Sequence, residues 1–339
     1  MIRSRAPLRL GLGGGGTDVS PFSDEYGGCT INTTINMYVY CSIEQTTDGT
    51  IEFHEADSNR TFQSDAKLKL ELDNTGFDLQ KGVYNRIVKD FAKNTLSFKM
   101  TTYSDAGPGS GLGGSSTFVV AMLQAYTEWL NLPLGKYDIA RLAYEVERID
   151  VGFVGGKQDH YAATFGGFNF MEFYDNRVII NPLNIKPWII NELETLMLIY
   201  CTESNRESAK IIEQQIQNTK AKNTDSLEAM KQLKHDAVSI KKAILFGDLD
   251  SFSQIMNRSW EAKKRMAVSI SNSRIEAIIR TAKEAGAMAG KVSGAGGGGY
   301  MLFLVAPDKR TKLMRCLKTF GGSSSRVMCT NRGAEAWKI

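Results

Sequence analysis

Three glycine-rich segments carry the spacing G-x-G-x-x-G, and each could bring backbone amides close to a nucleotide phosphate. They begin at Gly11, Gly109 and Gly294. A dinucleotide-binding loop follows a strand, opens a helix and is followed about 20 residues later by an acidic residue. The first segment runs toward Pro21 without a helical pattern, and the third lies between a predicted helix and a predicted strand. Only the segment at Gly109 has a predicted strand before it and a predicted helix after it.

This middle segment, PGSGLGGSST (residues 108–117), ends at the start of a predicted helix. The free N–H groups at a helix N-terminus carry about half a positive charge, and glycines let the backbone wrap around an anion. The hydroxyls of Ser115, Ser116 and Thr117 could bind phosphate oxygens or Mg²⁺. Because a capped helix after a tight turn would need only one such hydroxyl, phosphate binding is the favoured interpretation.

Other nucleotide motifs fit less well. The predicted helix after the middle segment leads into a second helix, and no strand ends in an acidic residue at the required distance, which disfavours a nicotinamide cofactor. The stretch VGFVGGKQD departs from a Walker A motif at Val151, in place of the first glycine, and at Gln158, after the lysine. The third segment, KVSGAGGGG (291–299), has more glycines than a close crossing of helix and strand needs, which predicts a chain lying against a ligand.

Most of the first 105 residues are predicted to form strands. Residues 35–45 alternate between apolar and polar, and the strand predicted over 96–104 runs directly into the middle segment. Asp48-Gly49 predicts a hairpin. Helices are predicted over 115–131 and 137–149, because apolar side chains recur there at a spacing of three and four residues.

After about residue 190 the pattern changes to polar, amphipathic helices that follow a buried strand over 193–202. Further helices are predicted over 206–222, 226–246, 249–265, 273–289 and 308–320, and strands over 300–306 and 325–330. A chain of 339 residues is long for a single core. Two domains are therefore predicted, comprising residues 1–185 and 186–339.

The composition limits the partners. A formal net charge of +4, spread along the chain, favours neither nucleic acid nor a membrane surface as a partner. No apolar run approaches the roughly 18 residues of a membrane span, and the basic N-terminus lacks the apolar centre of a signal peptide, so a cytoplasmic location is expected. Five cysteines without a C-x-x-C pair and only three histidines disfavour a zinc site. Whether the chain is a monomer or a homodimer stays open.

Taken in order, the glycine segments resemble the three motifs of the GHMP small-molecule kinases (galacto-, homoserine, mevalonate and phosphomevalonate kinases). The N-terminal motif is RAPLRLGLGGGGTD (5–18), the phosphate loop is PGSGLGGSS (108–116) with one extra glycine, and the C-terminal motif is KVSGAGGGG. ERIDVGFVGGKQDHYAATFGG (147–167) is similar to the stretch that carries the family's acidic residues. The resemblance spans the whole chain. It implies an α+β two-domain GHMP kinase fold, with an N-terminal domain like ribosomal protein S5 domain 2 and a ferredoxin-like C-terminal domain.

Finer features are similar to the sugar kinases that act on an anomeric hydroxyl, namely the GGGTD form of the first motif and GKQDHYAATFGG. The resemblance implies ATP and Mg²⁺ as cofactors and a small sugar phosphate as the partner. The implied acceptor is D-glycero-D-manno-heptose 7-phosphate, converted to the 1,7-bisphosphate for nucleotide-activated heptose synthesis. A fucokinase-type sugar 1-kinase is the alternative within this class, and a non-catalytic sugar or nucleotide sensor is the alternative outside it. Lys157, Arg206 and Lys291 are candidates to hold the 7-phosphate.

Two catalytic residues, Asp159 and Arg9, are implied by the resemblance, and a third, Lys157, is suggested by its position. Asp159 matches the acidic residue that faces the acceptor hydroxyl as base or orienting group; an aspartate that caps the following segment is the alternative. Lys157, two residues away, could stabilise its charge. Arg9 matches an arginine near the transferred phosphate.

Binding residues are implied in the same way. Ser116 and Glu147 match the family's Mg²⁺ ligands, with Ser115, Thr117 and Glu145 as neighbouring alternatives. The carboxylate of Asp18 could accept two sugar hydroxyls. The implied ATP-binding residues are Pro108, Gly109, Ser110, Gly111, Leu112, Gly113, Gly114, Ser115 and Ser116, and the implied substrate-binding residues are Gly15, Gly16, Thr17, Asp18, Gly294, Ala295, Gly296 and Gly297.

Overall fold

The computed structural model of this chain describes residues 1–203 and 208–339, and two β-sheets organise them. The strands are β1 (Ile2–Gly13), β2 (Gly28–Gln45), β3 (Thr50–Glu55), β4 (Arg60–Asp65), β5 (Phe98–Ser104), β6 (Phe168–Tyr174), β7 (Arg177–Pro182), β8 (Met197–Cys201), β9 (Ala287–Val292), β10 (Tyr300–Val305), β11 (Ser323–Arg326) and β12 (Glu335–Lys338). The larger sheet has the order β12-β1-β2-β5-β3-β4, with β6 paired to β2 and β7 to β6. The smaller sheet has the order β11-β8-β10-β9.

Strand β2 is the centre of the larger sheet. Its first residues pair with β6, from Gly28 opposite Phe173, and its last residues pair with β5, from Val39 opposite Ser104. Strand β1 covers the other edge of β2. Alternation along β5 buries Phe98 and Met100. The strands that carry the first glycine segment (β1) and lead to the middle segment (β5) are thereby fixed in one sheet.

Helices cover the sheets. They are α1 (Phe22–Tyr26), α2 (Asp78–Ile87), α3 (Gly114–Leu130), α4 (Lys136–Tyr144), α5 (Gln158–Phe165), α6 (Pro187–Leu196), α7 (Ser208–Lys220), α8 (Thr224–Phe246), α9 (Leu249–Lys264), α10 (Ser273–Glu284) and α11 (Pro307–Lys318). Wider π-helical turns continue α2 over Val88–Ala92 and α4 over Glu145–Asp150, and Val268–Ile270 forms a 3₁₀ turn. Single π turns inside helices are rare and occur often at functional sites.

The helix that follows the middle glycine segment agrees with the sequence pattern. Val119, Met122, Leu123 and Tyr126 are buried as predicted, and Leu130 is half-buried. The helix ends at Asn131, which takes a left-handed conformation with φ of 52°. The first 105 residues are mostly strands, as predicted, and they also contain α2, which lies between β4 and β5 and was not predicted.

Two predictions around the third glycine segment are also wrong in part. The helix predicted over 273–289 ends at Glu284, and residues 287–292 form strand β9. Gly286, with φ of +105°, breaks the helix. The third glycine segment therefore joins two antiparallel strands, β9 and β10, and does not join a helix to a strand.

The C-terminal strand returns to the larger sheet. Residues of β12 pair with β1, from Ile2 opposite Lys338 to Arg5 opposite Glu335, which the predicted division at 185/186 does not foresee. One continuous apolar cluster also joins residues from both sides of that division, such as Leu8 and Val120 with Ile189 and Ile240. The division into two domains stays a prediction. Among the described residues, no helix is long and apolar enough to cross a membrane.

Candidate active site

A cleft of about 710 Å³ collects most of the residues singled out by sequence. It is lined by the middle glycine segment, by Glu147 and Asp159, by Arg9 of β1, and by Gly294 and Ala295 of the third segment. Of the nine predicted ATP-binding residues, all except Leu112 line it. The Leu112 side chain is fully buried in the core, and its carbonyl accepts a hydrogen bond from Arg9 N at 3.0 Å.

The middle segment turns into α3 through three glycines in left-handed conformations. Gly109, Gly111 and Gly113 have φ of +73°, +79° and +83°, where a side chain would be strained. Gly113 is the N-cap of α3, so the first amides of the helix have no partner within the helix. Thr117 returns its hydroxyl to the Gly113 carbonyl at 2.8 Å. Thr117 therefore closes the first turn, and Ser115 and Ser116 remain as hydroxyls for a ligand.

Both serine hydroxyls meet one buried carboxylate. Ser116 Oγ lies 2.7 Å from Oε2 of Glu147, and Ser115 donates to Oε1 of the same group. Glu147 is fully buried on the π turn after α4, whereas its rival Glu145 faces Arg86 at 3.1 Å. The predicted pair Ser116 and Glu147 thus lies together, and the neighbouring hydroxyl of Ser115 shares the position.

Two basic side chains hold the Glu147 carboxylate. His160 Nε2 lies 2.6 Å from Oε2, and Arg148 lies 3.2 Å from Oε1 and also donates to Ser116 Oγ at 3.1 Å. Burial by itself would raise the pKa of Glu147, but Arg148 and His160 outweigh it and lower that pKa to about 2. The cleft therefore presents an ionised carboxylate next to two hydroxyls.

Asp159 is fixed by Arg9. The Nε and Nη2 atoms of Arg9 each lie 2.7 Å from Oδ1 of Asp159, and Nη1 donates to the Gly111 carbonyl at 2.7 Å. Asp159 lies in the first turn of α5, and a Cβ built on Gly113 would stand 3.2 Å from its Oδ2. The acidic residue and the middle glycine segment are therefore in direct contact, with Arg9 bonded to both.

The prediction that Lys157 stabilises Asp159 is wrong. Lys157 Nζ binds Asp24 at 3.0 Å and the Tyr174 carbonyl at 3.2 Å. Residues two apart in a helical turn point about 200° away from each other, so the side chains of Lys157 and Asp159 leave the start of α5 in different directions. Arg9, which lies in a distant strand, takes the place that Lys157 was expected to fill.

The first glycine segment is bonded to the start of α5 and does not itself line the cleft. Thr17 is fully buried, and its hydroxyl binds the carbonyls of Gly14 and Cys29 at 2.8 and 2.9 Å, so the predicted sugar contact by Thr17 is wrong. Asp18 accepts hydrogen bonds from the amides of Gly16 and Gln158 at 3.1 and 3.0 Å. Gly15, Gly16, Thr17 and Asp18 do not line the cleft. Asp18 instead joins the first segment to the start of α5, one residue before Asp159.

The third glycine segment packs on the middle one. Ser293 Oγ donates to the Gly111 carbonyl at 3.0 Å, and Tyr300 N donates to the Ser110 carbonyl at 2.8 Å. Gly294 and Ala295, two of the predicted substrate-binding residues, line the cleft. The predicted substrate residues Gly296 and Gly297 lie outside the cleft lining, because this part of the segment packs on the 3₁₀ turn: Gly297 N donates to the Ile270 carbonyl at 2.8 Å.

Three residues around the site were given no role by sequence reasoning: Arg148, His160 and Lys263. Arg148 and His160 are direct neighbours of Glu147 and Asp159 in the chain, so adjacency to an acidic candidate was an available signal. Lys263, at the end of α9, binds the Gly294 carbonyl at 2.6 Å. Its position follows from the packing of α9 on β9, which no local pattern reveals. Arg206, a predicted phosphate contact, lies outside the described residues.

Comparisons with known proteins agree with this arrangement. Residues 78–167 match the GHMP kinases N terminal domain, and residues 229–322 match the GHMP kinases C terminal domain. A D-glycero-alpha-D-manno-heptose 7-phosphate kinase of Campylobacter jejuni is 49% identical over 339 residues, which is 100% of this chain and 99% of the relative. A bifunctional fucokinase/GDP-fucose pyrophosphorylase of Arabidopsis thaliana is 25% identical over 91% of this chain and 30% of its own length.

A solved structure has the same architecture over its whole length. It is described as a D-glycero-D-manno-heptose 1-phosphate kinase from Bacteroides thetaiotaomicron, and it is 45% identical with a TM-score of 0.85. The match covers 100% of this chain and 99% of that chain. The two-sheet fold described above is therefore shared with a solved relative from end to end.

Proposed function

This chain belongs to the GHMP kinase family, and we propose that it transfers the γ-phosphoryl group of ATP to the anomeric hydroxyl of D-glycero-D-manno-heptose 7-phosphate. In this step the anomeric O–H loses its proton, a new P–O bond forms, and the P–O bond to ADP breaks. The products are ADP and the 1,7-bisphosphate. One observation carries the proposal: Asp159, the carboxylate suited to face an acceptor, lies against Gly113 of the segment suited to hold phosphates.

The nucleotide is proposed to bind with its phosphates at the N-terminus of α3. Amides of the first turn and the glycines at 109, 111 and 113 supply hydrogen-bond donors without Cβ atoms in the way. Ser110 and Gly111 are braced by the third segment through Tyr300 N and Ser293 Oγ. Such bracing holds the loop in one conformation, so less order has to be imposed when ATP binds.

Mg²⁺ is proposed to bind beside the phosphates. The donor set fits a small, hard cation, since the Ser115 and Ser116 hydroxyls and the Glu147 carboxylate are all oxygen ligands within hydrogen-bond distance of each other. A carboxylate that stays ionised near neutral pH is what such an ion requires. When bound, the ion would neutralise charge on the transferred phosphoryl group.

Asp159 is proposed to accept the proton of the acceptor hydroxyl or to orient that hydroxyl for attack. Its Oδ1 is occupied by Arg9, and among the described residues no hydrogen bond reaches Oδ2. Arg9 also stabilises negative charge on the phosphoryl group as the new bond forms, because it lines the cleft between Asp159 and Gly111. Asp159 thus acts on the proton of the attacking hydroxyl, and Arg9 acts on the phosphoryl group that this hydroxyl attacks.

The choice of acceptor sugar rests on the substrates for which the relatives are named. The full-length relative at 49% identity is named for heptose 7-phosphate, whereas the fucokinase relative is 25% identical. The retained Asp159, Ser116 and Glu147 argue for catalysis and against a sensor.

A coupled ADP assay tests the proposal with heptose 7-phosphate, mannose 6-phosphate and L-fucose as acceptors, and a reaction without acceptor as the control. Heptose 7-phosphate should give the highest kcat/KM. A higher value with fucose would overturn the acceptor, and no ADP release with any acceptor would favour the sensor.

A further inference from the structure

The Glu147 carboxylate has a partner at each position where it can accept a hydrogen bond. Ser116 Oγ and His160 Nε2 lie 2.7 and 2.6 Å from Oε2. Ser115 donates to Oε1, and Arg148 lies 3.2 Å from the same oxygen. An ionised carboxylate offers about four such positions, and these four partners fill them. A metal ion that binds Glu147 must therefore take the place of one of them.

The four partners differ in where they lie. Ser115, Ser116 and Arg148 line the cleft, whereas His160 does not line it and is fully buried. A serine hydroxyl can turn its hydrogen away and offer its oxygen to an ion. The imidazole of His160 is enclosed, since its ring packs edge-to-face against Tyr144 with the two centroids 5.7 Å apart. His160 is therefore the partner that remains when the cleft is filled.

The imidazole leaves one of its nitrogens unpaired. Because an ionised carboxylate only accepts hydrogen bonds, the hydrogen that faces Glu147 lies on Nε2 of His160. The other nitrogen, Nδ1, is buried and has no hydrogen-bond partner within residues 1–203 and 208–339. A buried polar atom without a partner is unfavourable, and an apolar side chain would pack here without that penalty. The bond from Nε2 to Glu147 thus gives a reason for a histidine at this position.

His160 also connects two parts of the site. It follows Asp159 directly on α5, and successive residues of an α-helix point about 100° apart. The same turn of α5 directs Asp159 toward Arg9 and His160 toward Glu147. The carboxylate proposed for the metal and the carboxylate proposed for the acceptor are therefore placed relative to each other by adjacent residues of one helix.

We propose that His160 is a positioning residue, which holds the Glu147 carboxylate in place while the Ser115 and Ser116 hydroxyls exchange it for the metal ion and the ATP phosphates. This inference rests on the proposed function, since it requires a nucleotide-bound metal ion at Glu147. His160 itself touches neither the metal nor the substrate. Side chains that orient a metal ligand commonly contribute about 10- to 100-fold in metal affinity.

The affinity for AMPPNP, a non-hydrolysable ATP analogue, tests this role without turnover. Calorimetric titration with Mg²⁺ and again with EDTA gives two affinities, and their ratio measures what the metal contributes. His160→Met removes the donor and should lower this ratio by about tenfold or more, with the affinity in EDTA unchanged. His160→Gln carries an amide nitrogen near the position of Nε2 and should keep a ratio close to that of the wild type.

Two further variants keep the comparison decisive if His160→Met does not fold. His160→Asn also carries an amide, but its shorter side chain holds the nitrogen back from Glu147, so the ratio should fall as in His160→Met. His235→Met is the matched control, because it removes an exposed histidine of α8 whose Nδ1 lies 3.8 Å from Asp236. It should behave like the wild type. Thermal melts identify the variants that are folded.

Several results would overturn the positioning role. These are a wild-type ratio in both His160→Met and His160→Asn, or a ratio in His160→Gln as low as in His160→Asn. An equal loss with Mg²⁺ and with EDTA would also overturn it, because His160 would then support the nucleotide loop and not the metal ligand. A wild-type ratio of one would remove the metal from Glu147, and the role with it.

Failure of the proposed function gives a different result. A wild-type protein whose AMPPNP affinity depends on Mg²⁺ and on His160, but which does not phosphorylate heptose 7-phosphate, would contradict the proposed acceptor and leave the positioning role standing.

Discussion

Arg9 donates from two nitrogens to a single oxygen of Asp159, Nε and Nη2 each standing 2.7 Å from Oδ1. The second carboxylate oxygen, Oδ2, lies next to Gly113, and Asp159 lines the cleft. Two hydrogen bonds from one arginine restrict the orientation of the carboxylate. A carboxylate held in one orientation places an acceptor hydroxyl at one position. The pair joins β1 to α5 across 150 residues of sequence.

A double-mutant cycle on this pair is the first prediction. Asp159→Asn should lower kcat by about 10²- to 10⁴-fold, the usual contribution of a positioned acid or base, and Arg9→Met should lower kcat by a smaller factor. Arg9 acts by positioning the carboxylate of Asp159, so its effect depends on that carboxylate. The loss of kcat in the double variant, expressed as a free energy, should therefore be well below the sum of the losses in the two single variants.

ATP affinity provides the control for this cycle, measured by fluorescent-nucleotide displacement. Asp159→Asn should bind ATP nearly as well as the wild type. Fully additive effects on kcat would mean that Arg9 and Asp159 act separately.

The contact of Gly113 with Asp159 leads to a second prediction. Gly113→Ala carries two penalties: a left-handed φ of +83°, and a Cβ that stands 3.1 Å from the carboxylate carbon of Asp159. Gly49→Ala carries only the first, since its φ is +74° and nothing lies within 4 Å of the new Cβ. Gly49→Ala should lose about 1 kcal/mol of unfolding free energy, and Gly113→Ala should lose more than Gly49→Ala. Only Gly113→Ala should lose activity, by tenfold or more. Thermal melts and kcat/KM check this; an active Gly113→Ala would show that Asp159 need not touch the loop.

The third prediction concerns the metal. Glu147→Gln should raise the Mg²⁺ concentration needed for half-maximal activity, because a neutral amide is a poorer ligand than a carboxylate for a hard cation. Glu145→Gln is the matched control, two residues away and bonded to Arg86 outside the site, and should behave like the wild type. Titration of activity with Mg²⁺ at fixed ATP gives the comparison. If the two variants gave the same Mg²⁺ curve, Glu147 would have no metal role.

The fourth prediction is a dependence of stability on pH. Burial and the charges of Lys263 and Arg9 lower the pKa of Lys291 to about 7 in the folded protein, against an ordinary value of 10.5. Between these values the unfolded chain binds more protons than the folded one, so folding stability rises with pH. The unfolding free energy of the wild type, measured against that of Lys291→Met by urea denaturation, should therefore increase from pH 7 to pH 10. A constant difference would indicate that Lys291 is not held in a desolvated, cationic environment.

The sequence predicted the parts of the site that local patterns encode. Glycines, a capped amphipathic helix and the apolar stripe of α3 are local features, and they appear where they were expected. The grouping of Ser116 with Glu147 and of Arg9 with Asp159 agrees with the family resemblance, because the motif order fixes which loops meet.

Features that depend on non-local packing were missed. The direction of Lys157 depends on a single helical turn and on Asp24, 133 residues away. The helix predicted over 273–289 includes the first three residues of β9, whose alanines favour helices, yet pairing with β10 decides the conformation of this segment. Strand β12 has no pattern of its own and is defined by the free edge of β1.

Phosphorus NMR of the reaction product tests the central claim most directly. With ATP, Mg²⁺ and heptose 7-phosphate, we predict a second phosphomonoester resonance, coupled to the anomeric proton and formed in equal amount to ADP, which Asp159→Asn does not produce at a comparable rate. A resonance coupled to any other sugar proton, or no second phosphomonoester at all, would contradict the account.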